Sequence, residues 1–357
     1  METPNAQKRF FTKQLINWHH TDNNRQLPWK SEKDPYKIWL SEIILQQTRA
    51  QQGLPYYLNF TKAYPTIRKM AAANDEDVYR IWQGLGYYNR CRNMLATARY
   101  ISNELNGKFP DTHEGIIALK GIGPYTAAAI ASFAYGLPHA VVDGNVYRVL
   151  ARFFGIDTPS DGTAGKKLFH SLAQELLYKE DSAAYNQAIM DLGATVCTPQ
   201  KPLCDSCPLQ KQCIAYKQDM IALLPVRAKK LKVKDRHFNY LLLTNEDRIW
   251  VHKREGKDIW HNLHELYLIE TDKPVGIVEL QKIAAYKALA INGKPTLIEG
   301  MKQQLTHQTI HSKFYSLAIG KPDAAVFEDG KWVYIKDLKK LAFPKTIVSF
   351  LEKNFYF

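Results

Sequence analysis

The sequence is short of acidic side chains and has no long run of apolar residues. Its 357 residues carry 35 Asp and Glu against 48 Lys and Arg, which gives a formal net charge of +13. A basic surplus of this size favours a polyanionic partner, above all nucleic acid. No apolar run could cross a bilayer, and the polar start, Met1–Pro4, is unlike a signal peptide. We therefore expect a cytoplasmic protein, associated with the nucleoid if the source is bacterial.

Cysteine is also scarce, and its distribution argues against a disulfide framework. Four of the five cysteines follow the spacing Cys197-x6-Cys204-x2-Cys207-x5-Cys213, and Cys91 stands apart. Four clustered thiolates in an intracellular protein suit Zn²⁺ or a [4Fe–4S] cluster. A single CxxC pair with wide outer arms favours the iron–sulfur cluster. Zinc is the main alternative, and uncoordinated thiols are the third.

The sequence has no repeats and no low-complexity segments, but its residue pattern changes once along the chain. Helical periodicity runs through residues 1–220. A basic segment at 221–236 has the composition of an interdomain linker, and short strand-like runs dominate residues 237–357. We therefore predict an all-α domain followed by a smaller α+β domain.

One turn and two carboxylates are candidates for chemistry. The turn Gly121-Ile122-Gly123 precedes an Ala-rich helix predicted over Tyr125–Tyr135. Its backbone N–H groups could bind a phosphate. Asp143 directly precedes another predicted helix, where an N-cap is the plain interpretation. Glu42 lies among apolar residues on a third helix, where a position at the helix rim is the usual one.

Together these features resemble the endonuclease III-type DNA glycosylases. The cysteine spacing is similar to their iron–sulfur loop, here 197–213, and the glycine turn to their helix-hairpin-helix element, which grips DNA without reading sequence. The run Ser41-Glu42-Ile43-Ile44-Leu45-Gln46-Gln47-Thr48 closely resembles a motif of adenine glycosylases of the mismatch-repair kind. Those enzymes remove adenine mispaired with 8-oxoguanine. The resemblance implies a helix-hairpin-helix glycosylase domain with a structural [4Fe–4S] cluster and a monovalent or divalent cation at the hairpin, followed by a nudix-like 8-oxoguanine recognition domain. It also implies a monomer that acts on 8-oxoguanine·adenine or guanine·adenine mispairs in base excision repair.

The resemblance assigns the catalytic residues as well. Glu42 would protonate adenine, a poor leaving group otherwise, and its apolar neighbours would raise its pKa. Asp143 would stabilise the positive charge that develops on C1′, and Asn145 would set the environment of Asp143. Tyr125 stands where the lyases of this superfamily carry a lysine nucleophile. Because a phenol forms no Schiff base, we expect a monofunctional enzyme in which Tyr125 hydrogen-bonds to Asp143.

Two alternatives remain open at this point. One is a pyrimidine-damage glycosylase with lyase activity on the same scaffold, which a lysine at position 125 would have favoured. The other is a non-catalytic DNA-binding protein with a metal cluster. The presence of both Glu42 and Asp143 within their motifs argues against the second alternative.

The other predicted site residues contact DNA and rest on the resemblance. The adenine would be surrounded by Arg25, Leu27, Trp29 and Lys30, with Gln187 on its edge, and the space that it vacates would be filled by Gln47 and Thr48. An aromatic ring would be wedged into the duplex by the loop that holds Leu85 and Tyr87. A phosphate would be bound at Gly121 and Gly123, the DNA backbone would be contacted by Lys201 and Lys211, and 8-oxoguanine by Thr306 and His307.

The chain departs from the family pattern at a few positions. Lys30 stands where many relatives carry arginine, which keeps the charge but removes the planar fork. His261 and Asn262 replace two glycines of a segment that resembles the nudix-like domain. No Glu-rich pyrophosphatase motif is visible, so we expect this domain to bind and not to hydrolyse. Ile310-His311-Ser312 competes with Thr306 for the 8-oxoguanine contact.

Overall fold

The computed structural model describes residues 5–228, 233–256, 258–289, 293–319 and 327–355. Contacts divide the chain into two compact units, Met1–Ala72 with Asn93–Lys230, and Ala73–Arg92 with Leu231–Phe357. The second unit thus includes Ala73–Arg92, which the sequence analysis counted with the helical domain. Residues 229–232 of the predicted linker lie outside the described residues.

The described chain up to residue 228 is helical. Its α-helices are α1 (Asn5–Thr21), α2 (Pro35–Leu45), α3 (Ala50–Ala63), α4 (Ile67–Ala71), α5 (Asp75–Trp82), α6 (Asn89–Glu104), α7 (His113–Ile117), α8 (Pro124–Tyr135), α9 (Gly144–Phe154), α10 (Thr163–Leu176), α11 (Ser182–Thr195) and α12 (Ile214–Lys217). Of these, α5 and the start of α6 belong to the second unit. None of the helices among the described residues is long and apolar enough to span a bilayer.

Helix α8 packs closely against its neighbours because its side chains are small. Every residue from Thr126 to Ser132 is buried, and α2, α7 and α11 pack against this helix. The helix starts at Pro124 and is capped by Gly136, whose φ of 66° is the left-handed conformation that glycine favours. The predicted helix Tyr125–Tyr135 is therefore confirmed, with one further residue at its start.

An apolar core holds α1, α9, α10 and α11 together. It includes Phe11, Phe153, Phe169 and Leu192, which are fully buried or nearly so. Removing such side chains from water is the main favourable contribution to folding. This packing fixes the start of α9, where Asp143 lies, beside α11.

The second unit is built on a mixed sheet of seven strands among its described residues. The strands are β1 (Lys234–Asn245), β2 (Arg248–Lys253), β3 (His264–Glu265), β4 (Tyr267–Thr271), β5 (Thr296–Gln304), β6 (Gln308–Ala318) and β7 (Gly330–Tyr334). Strand β1 runs parallel to β6 and antiparallel to β2 and β4; β5 pairs with β6, and β3 and β7 pair with β2. Besides α5 and the start of α6, the described α-helices of this unit are α13 (Ile277–Lys282), α14 (Ala284–Lys287) and α15 (Lys345–Phe355).

The sheet is buried on both faces along its central strand β1. Along β1, Tyr240 contributes to a core that α15 covers through Phe350, whereas Leu241 contributes to a core on the opposite face that includes Tyr286 of α14. Side chains alternate between faces along a strand, so a strand buried on both faces has a continuous apolar run. The predicted α+β character of this part is confirmed.

Candidate active site

Glu42 lies in a stretch of α2 that is buried throughout. The helix starts with Asp34 as its N-cap, whose carboxylate accepts the Tyr36 N–H at 2.9 Å. Glu42 itself is only 5% exposed. Burial raises its pKa to about 7, a hydrogen bond from Tyr125 lowers that pKa, and the charge of Asp143 raises it. An acid with such a pKa can both give and take a proton near neutral pH.

Tyr125, in the first turn of α8, donates its hydroxyl to Glu42. The sequence analysis paired this hydroxyl with Asp143; the structure pairs it with Glu42, while the charges of Glu42 and Asp143 act on it electrostatically. Burial, first of all, raises the Tyr125 pKa well above its usual value. The phenol therefore stays protonated and remains a hydrogen-bond donor to Glu42.

Removal of this hydroxyl gives a test of the contact. In Tyr125→Phe, the Glu42 carboxylate loses a hydrogen bond that stabilises its ionised form, so we expect the Glu42 pKa to rise above about 7. Carbon-13 NMR of the side-chain carboxyl, assigned with Glu42→Gln, would follow this titration. Tyr36→Phe is a matched control, because the Tyr36 hydroxyl donates to the Tyr64 carbonyl. A Glu42 pKa that is the same in the Tyr125→Phe protein and the parent would refute the contact.

Asp143 is the N-cap of α9, and the helix start occupies both of its oxygens. Oδ1 accepts the backbone N–H groups of Asn145 and Val146, each at 2.8 Å, and Oδ2 accepts the Asn145 side-chain amide at 2.7 Å. Burial raises the Asp143 pKa, and these hydrogen bonds oppose that rise. The plain N-cap interpretation is thus correct and compatible with a chemical role, because the cap holds the carboxylate in one place.

Arg148 connects Asn145 to the cysteine loop, a role that the sequence analysis missed. Its Nη2 donates to Asn145 Oδ1 and to the Gly193 carbonyl, both at 2.7 Å, and its Nε donates to the Cys197 carbonyl at 2.7 Å. Helix α11 approaches closely here, since a Cβ on Gly193 would lie 2.6 Å from the Cβ of Asn145. The position of Asp143 therefore depends on Asn145, Arg148 and the loop.

The four clustered cysteines line one small pocket. Cys197, Cys204, Cys207 and Cys213 share it with Arg152, which donates to the Thr198 and Pro199 carbonyls at 2.7 and 2.9 Å. Among the described residues, no group of three or more His, Cys, Asp or Glu is arranged to hold a single metal ion. Four thiols around a common pocket are a donor set that suits a cluster with several iron atoms.

Four of the predicted base contacts line a cavity of about 760 Å³. They are Arg25, Leu27, Lys30 and Gln187, and the catalytic candidates above are not part of this lining. Trp29, by contrast, packs edge-on against Tyr57, with ring centroids 5.3 Å apart.

The glycine turn has the backbone conformation that its sequence predicts. Gly121 has φ of +80°, and a Cβ there would lie 2.7 Å from the Cβ of Asn93. Gly123 is the N-cap of α8, and nothing lies within 4 Å of where its Cβ would be. The turn thus leaves open space at the start of a 12-residue helix, which suits the approach of an anion. At the end of α2, Gln47 is exposed and also has a positive φ, of 54°.

The predicted wedge lies in the second unit. Gly84 and Gly86 have φ of 91° and 79°, and Tyr87 between them and α6 has φ of 50° and is 46% exposed. The Arg90 guanidinium lies 5.4 Å from the centre of the Tyr87 ring, a cation–π contact that sequence reasoning missed. Leu85, however, is only 5% exposed, so its side chain packs inside the unit.

Thr306 lies in the turn between β5 and β6, within the same unit as Tyr87. Its hydroxyl is hydrogen-bonded to the Tyr87 hydroxyl, and His307 beside it is exposed. The competing Ser312 is only 2% exposed and lies within β6. The structure thus brings Tyr87 and Thr306 together.

Comparisons with known proteins agree with this architecture. Residues 40–176 match the model of the HhH-GPD superfamily of base excision DNA repair proteins, and residues 239–353 match that of the NUDIX domain. The adenine DNA glycosylase of Buchnera aphidicola subsp. Schizaphis graminum is 32% identical over 345 residues, 96% of this chain and 98% of that protein. The human adenine DNA glycosylase is 40% identical over 219 residues, 59% of this chain and 40% of that protein.

Two solved structures are each similar to about three fifths of this chain. A thermostable thymine-DNA glycosylase superposes with a TM-score of 0.56 at 29% identity, over 60% of this chain and 98% of that one. A trapped endonuclease III–DNA covalent intermediate gives a TM-score of 0.53 at 21% identity, over 61% of this chain and 100% of that one. At that identity, the second likeness shows the fold alone.

Proposed function

Because this chain belongs to the adenine DNA glycosylase family and is a DNA N-glycosylase of base excision repair, we propose that it releases adenine mispaired with 8-oxoguanine, or with guanine, by hydrolysis and leaves an abasic site. The proposal rests on one group of side chains: the buried acid Glu42, its phenol partner Tyr125 and the capped carboxylate Asp143. They provide an acid, a neutral hydrogen-bond donor and a fixed negative charge.

Each member of this group has a part in breaking the N-glycosidic bond. Glu42 is protonated in a large fraction of molecules near pH 7, so it can protonate the leaving base. The fixed charge of Asp143 stabilises the cation on the sugar electrostatically, and Glu42, once ionised, can activate the attacking water. Tyr125 keeps Glu42 in one orientation.

The lyase alternative needs a nucleophilic amine at position 125. A phenol forms no Schiff base with C1′, so no β-elimination of the strand should follow base release. Borohydride would trap a covalent protein–DNA adduct in high yield only if an amine attacked the sugar.

A cleavage assay on four duplexes tests the proposal. They contain 8-oxoguanine·adenine, guanine·adenine, thymine·adenine and thymine glycol·adenine, and each reaction is split between alkaline work-up and borohydride. We expect abasic sites on the adenine strand of the first two duplexes and no trapped adduct. Cutting of the thymine glycol strand alone would overturn the proposal in favour of the pyrimidine-damage alternative.

We further propose that Thr306 supports recognition of 8-oxoguanine, since its hydroxyl lies against that of Tyr87 in a turn between two strands. In Thr306→Val, the shape is kept and the hydroxyl is lost. We expect the preference for 8-oxoguanine·adenine over guanine·adenine to fall about tenfold, the contribution of one or two hydrogen bonds, in single-turnover rates.

A matched control separates this effect from a loosened hairpin. Thr309 lies in the same hairpin, and its hydroxyl donates to Gln304 Oε1 at 2.9 Å. Thr309→Val makes the same chemical change away from Tyr87. If both variants lost the preference for 8-oxoguanine·adenine to the same extent, the proposed role of Thr306 would be wrong.

We also propose that Cys197, Cys204, Cys207 and Cys213 hold a [4Fe–4S] cluster, which would fix the loop next to Arg148 and Arg152. When bound, the cluster would join the four cysteines and so cross-link this loop. In domain terms, residues 1–220 would form the glycosylase part, 221–236 the linker and 237–357 the recognition part.

Metal analysis provides the test of the cluster. Anaerobically purified protein should be yellow-brown with about four iron atoms per chain, and Cys207→Ser should lose both iron and thermal stability. Cys91→Ala, which removes the buried thiol outside the loop, should keep its iron. A colourless protein with stoichiometric zinc and no iron would contradict the assignment.

A further inference from the structure

Asp191, on α11, carries a buried carboxylate that the mechanism above does not use. Its side chain is 0% exposed. Oδ1 accepts from Arg25 Nη1 at 2.8 Å and from Gln187 Nε2 at 3.1 Å, and Oδ2 accepts from Asn23 Nδ2 at 2.8 Å and Lys30 Nζ at 2.5 Å. A buried charge is costly unless it is paired and hydrogen-bonded, and this one has four donors.

All four donors line the 760 Å³ cavity, whereas Asp191 does not. The carboxylate therefore lies behind the cavity wall and holds the wall's polar side chains in place. Arg25 and Lys30 are ion-paired to it and Gln187 is hydrogen-bonded to it, so their orientations toward the cavity depend on Asp191.

The contact between Asp191 and Gln187 fixes which way the Gln187 amide points. A carboxylate that is ion-paired to Arg25 and Lys30 has only acceptors, so the Gln187 atom facing it must be the NH₂ group. The two residues are four apart on α11, where their side chains share a helix face. The Gln187 carbonyl oxygen is consequently the end of the amide that is left for a ligand.

This orientation matters for the choice of base. Adenine carries a 6-amino donor, whereas guanine and hypoxanthine carry a 6-oxo acceptor at the same position. A carbonyl oxygen accepts from the amino group and repels the oxo group, and a reversed amide would do the opposite. A site that must release adenine from a pair with guanine needs this distinction.

We propose that Asp191 is a specificity-positioning residue, which locks the Gln187 amide so that its carbonyl oxygen accepts from the 6-amino group of the extruded adenine. The inference rests on the proposed function and on Gln187 lying at the edge of the base. It assigns to Asp191 no contact with the base.

The experiment compares adenine with hypoxanthine, each opposite 8-oxoguanine in otherwise identical duplexes. Single-turnover rates give the ratio of adenine release to hypoxanthine release within one protein preparation. In Asp191→Asn the side chain at 191 is itself an amide, so the Gln187 amide is free to reverse. We expect the ratio to fall about tenfold, the size of one neutral hydrogen bond.

A double variant reverses the donor and the acceptor of this contact. In Asp191→Asn with Gln187→Glu, the asparagine NH₂ can donate to the glutamate, which has only acceptors to offer the base. The net charge of the pair is unchanged, so Arg25 and Lys30 keep a nearby carboxylate. We expect this protein to regain the parent's ratio. Glu175→Gln, which removes a carboxylate paired with Lys8 on the surface, should leave the ratio at the parent's value.

The outcomes separate this inference from the proposed function. A parent protein that releases no adenine would refute the function itself. A parent that releases adenine, with the same ratio in Asp191→Asn even at reduced rate, would overturn the role of Asp191 and leave the function intact. If Asp191→Asn proves insoluble, the double variant decides: the parent's ratio supports the role, and a reduced ratio overturns it.

Discussion

Replacement of Glu42 by glutamine should slow adenine release about a thousandfold, within the range that general acid–base catalysis contributes. Glutamine keeps the shape of the side chain but cannot protonate the base. The parent's activity should fall as pH rises through about 7, because the protonated form of Glu42 disappears there. Single-turnover rates between pH 5 and pH 9 would measure both effects, and duplex binding should be retained.

The stability of the same variant offers a check that does not depend on catalysis. The folded-state pKa of Glu42 is raised, so its contribution to stability is complete below about 4.5 and is lost as pH rises through about 7. Thermal unfolding of Glu42→Gln should not show this loss. The stability of the variant relative to the parent should therefore increase at alkaline pH. Parallel stability curves in the two proteins would argue against a buried acid with a raised pKa.

Glu32→Gln is a suitable control for the rate profile. Burial raises the Glu32 pKa, but hydrogen bonds from the Asp34 backbone and from Lys37 outweigh burial and hold it below the usual value. Glu32 is thus ionised throughout the measured range. In Glu32→Gln, activity should therefore fall at the same alkaline pH as in the parent.

The second large effect is expected for Asp143→Asn, again about a thousandfold in the rate of base release. The change removes the negative charge that we propose stabilises the developing cation, a loss of the size seen when one electrostatic contact to a transition state is deleted. Asparagine is itself a good N-cap and can accept the N–H groups of Asn145 and Val146, so the helix start should persist.

Unfolding temperature and duplex affinity would establish that only the chemistry has changed. Asp34→Asn makes the same substitution at the N-cap of α2, where the carboxylate accepts the Tyr36 N–H. It should show a similar small change in stability with near-normal activity. An Asp143→Asn protein that released adenine at the parent rate would return Asp143 to a purely structural role.

Local sequence patterns predicted the parts of this molecule that depend on neighbouring residues. The α-helical and α+β parts, membership of the glycosylase family and the DNA N-glycosylase class are confirmed. The N-cap at Asp143 and the helix from Pro35 follow from residues within a few positions. The iron–sulfur cluster, the opposing 8-oxoguanine and the individual site residues stay predictions.

The contacts that sequence reasoning missed join distant segments. Asp191 meets Arg25 across 166 positions, and Arg148 meets Cys197 across 49. An aspartate among the apolar residues of a helix is noticeable in the sequence, but a single sequence does not reveal which residues it contacts. The same holds for Tyr125, whose hydroxyl had two carboxylates within reach.

Gly193, on the opposite helix, limits which substitutions are tolerated beside the Asp143 carboxylate. Glycine in a helix interior is destabilising by about 1 kcal/mol relative to alanine, so helix propensity alone would favour a substitution. Yet one added methyl group would meet Asn145 at 2.6 Å and push against the residue that binds Asp143. A change that strengthens α11 would therefore displace Asn145 and the Asp143 carboxylate that it binds, so helix stability and the position of Asp143 place opposite demands on residue 193.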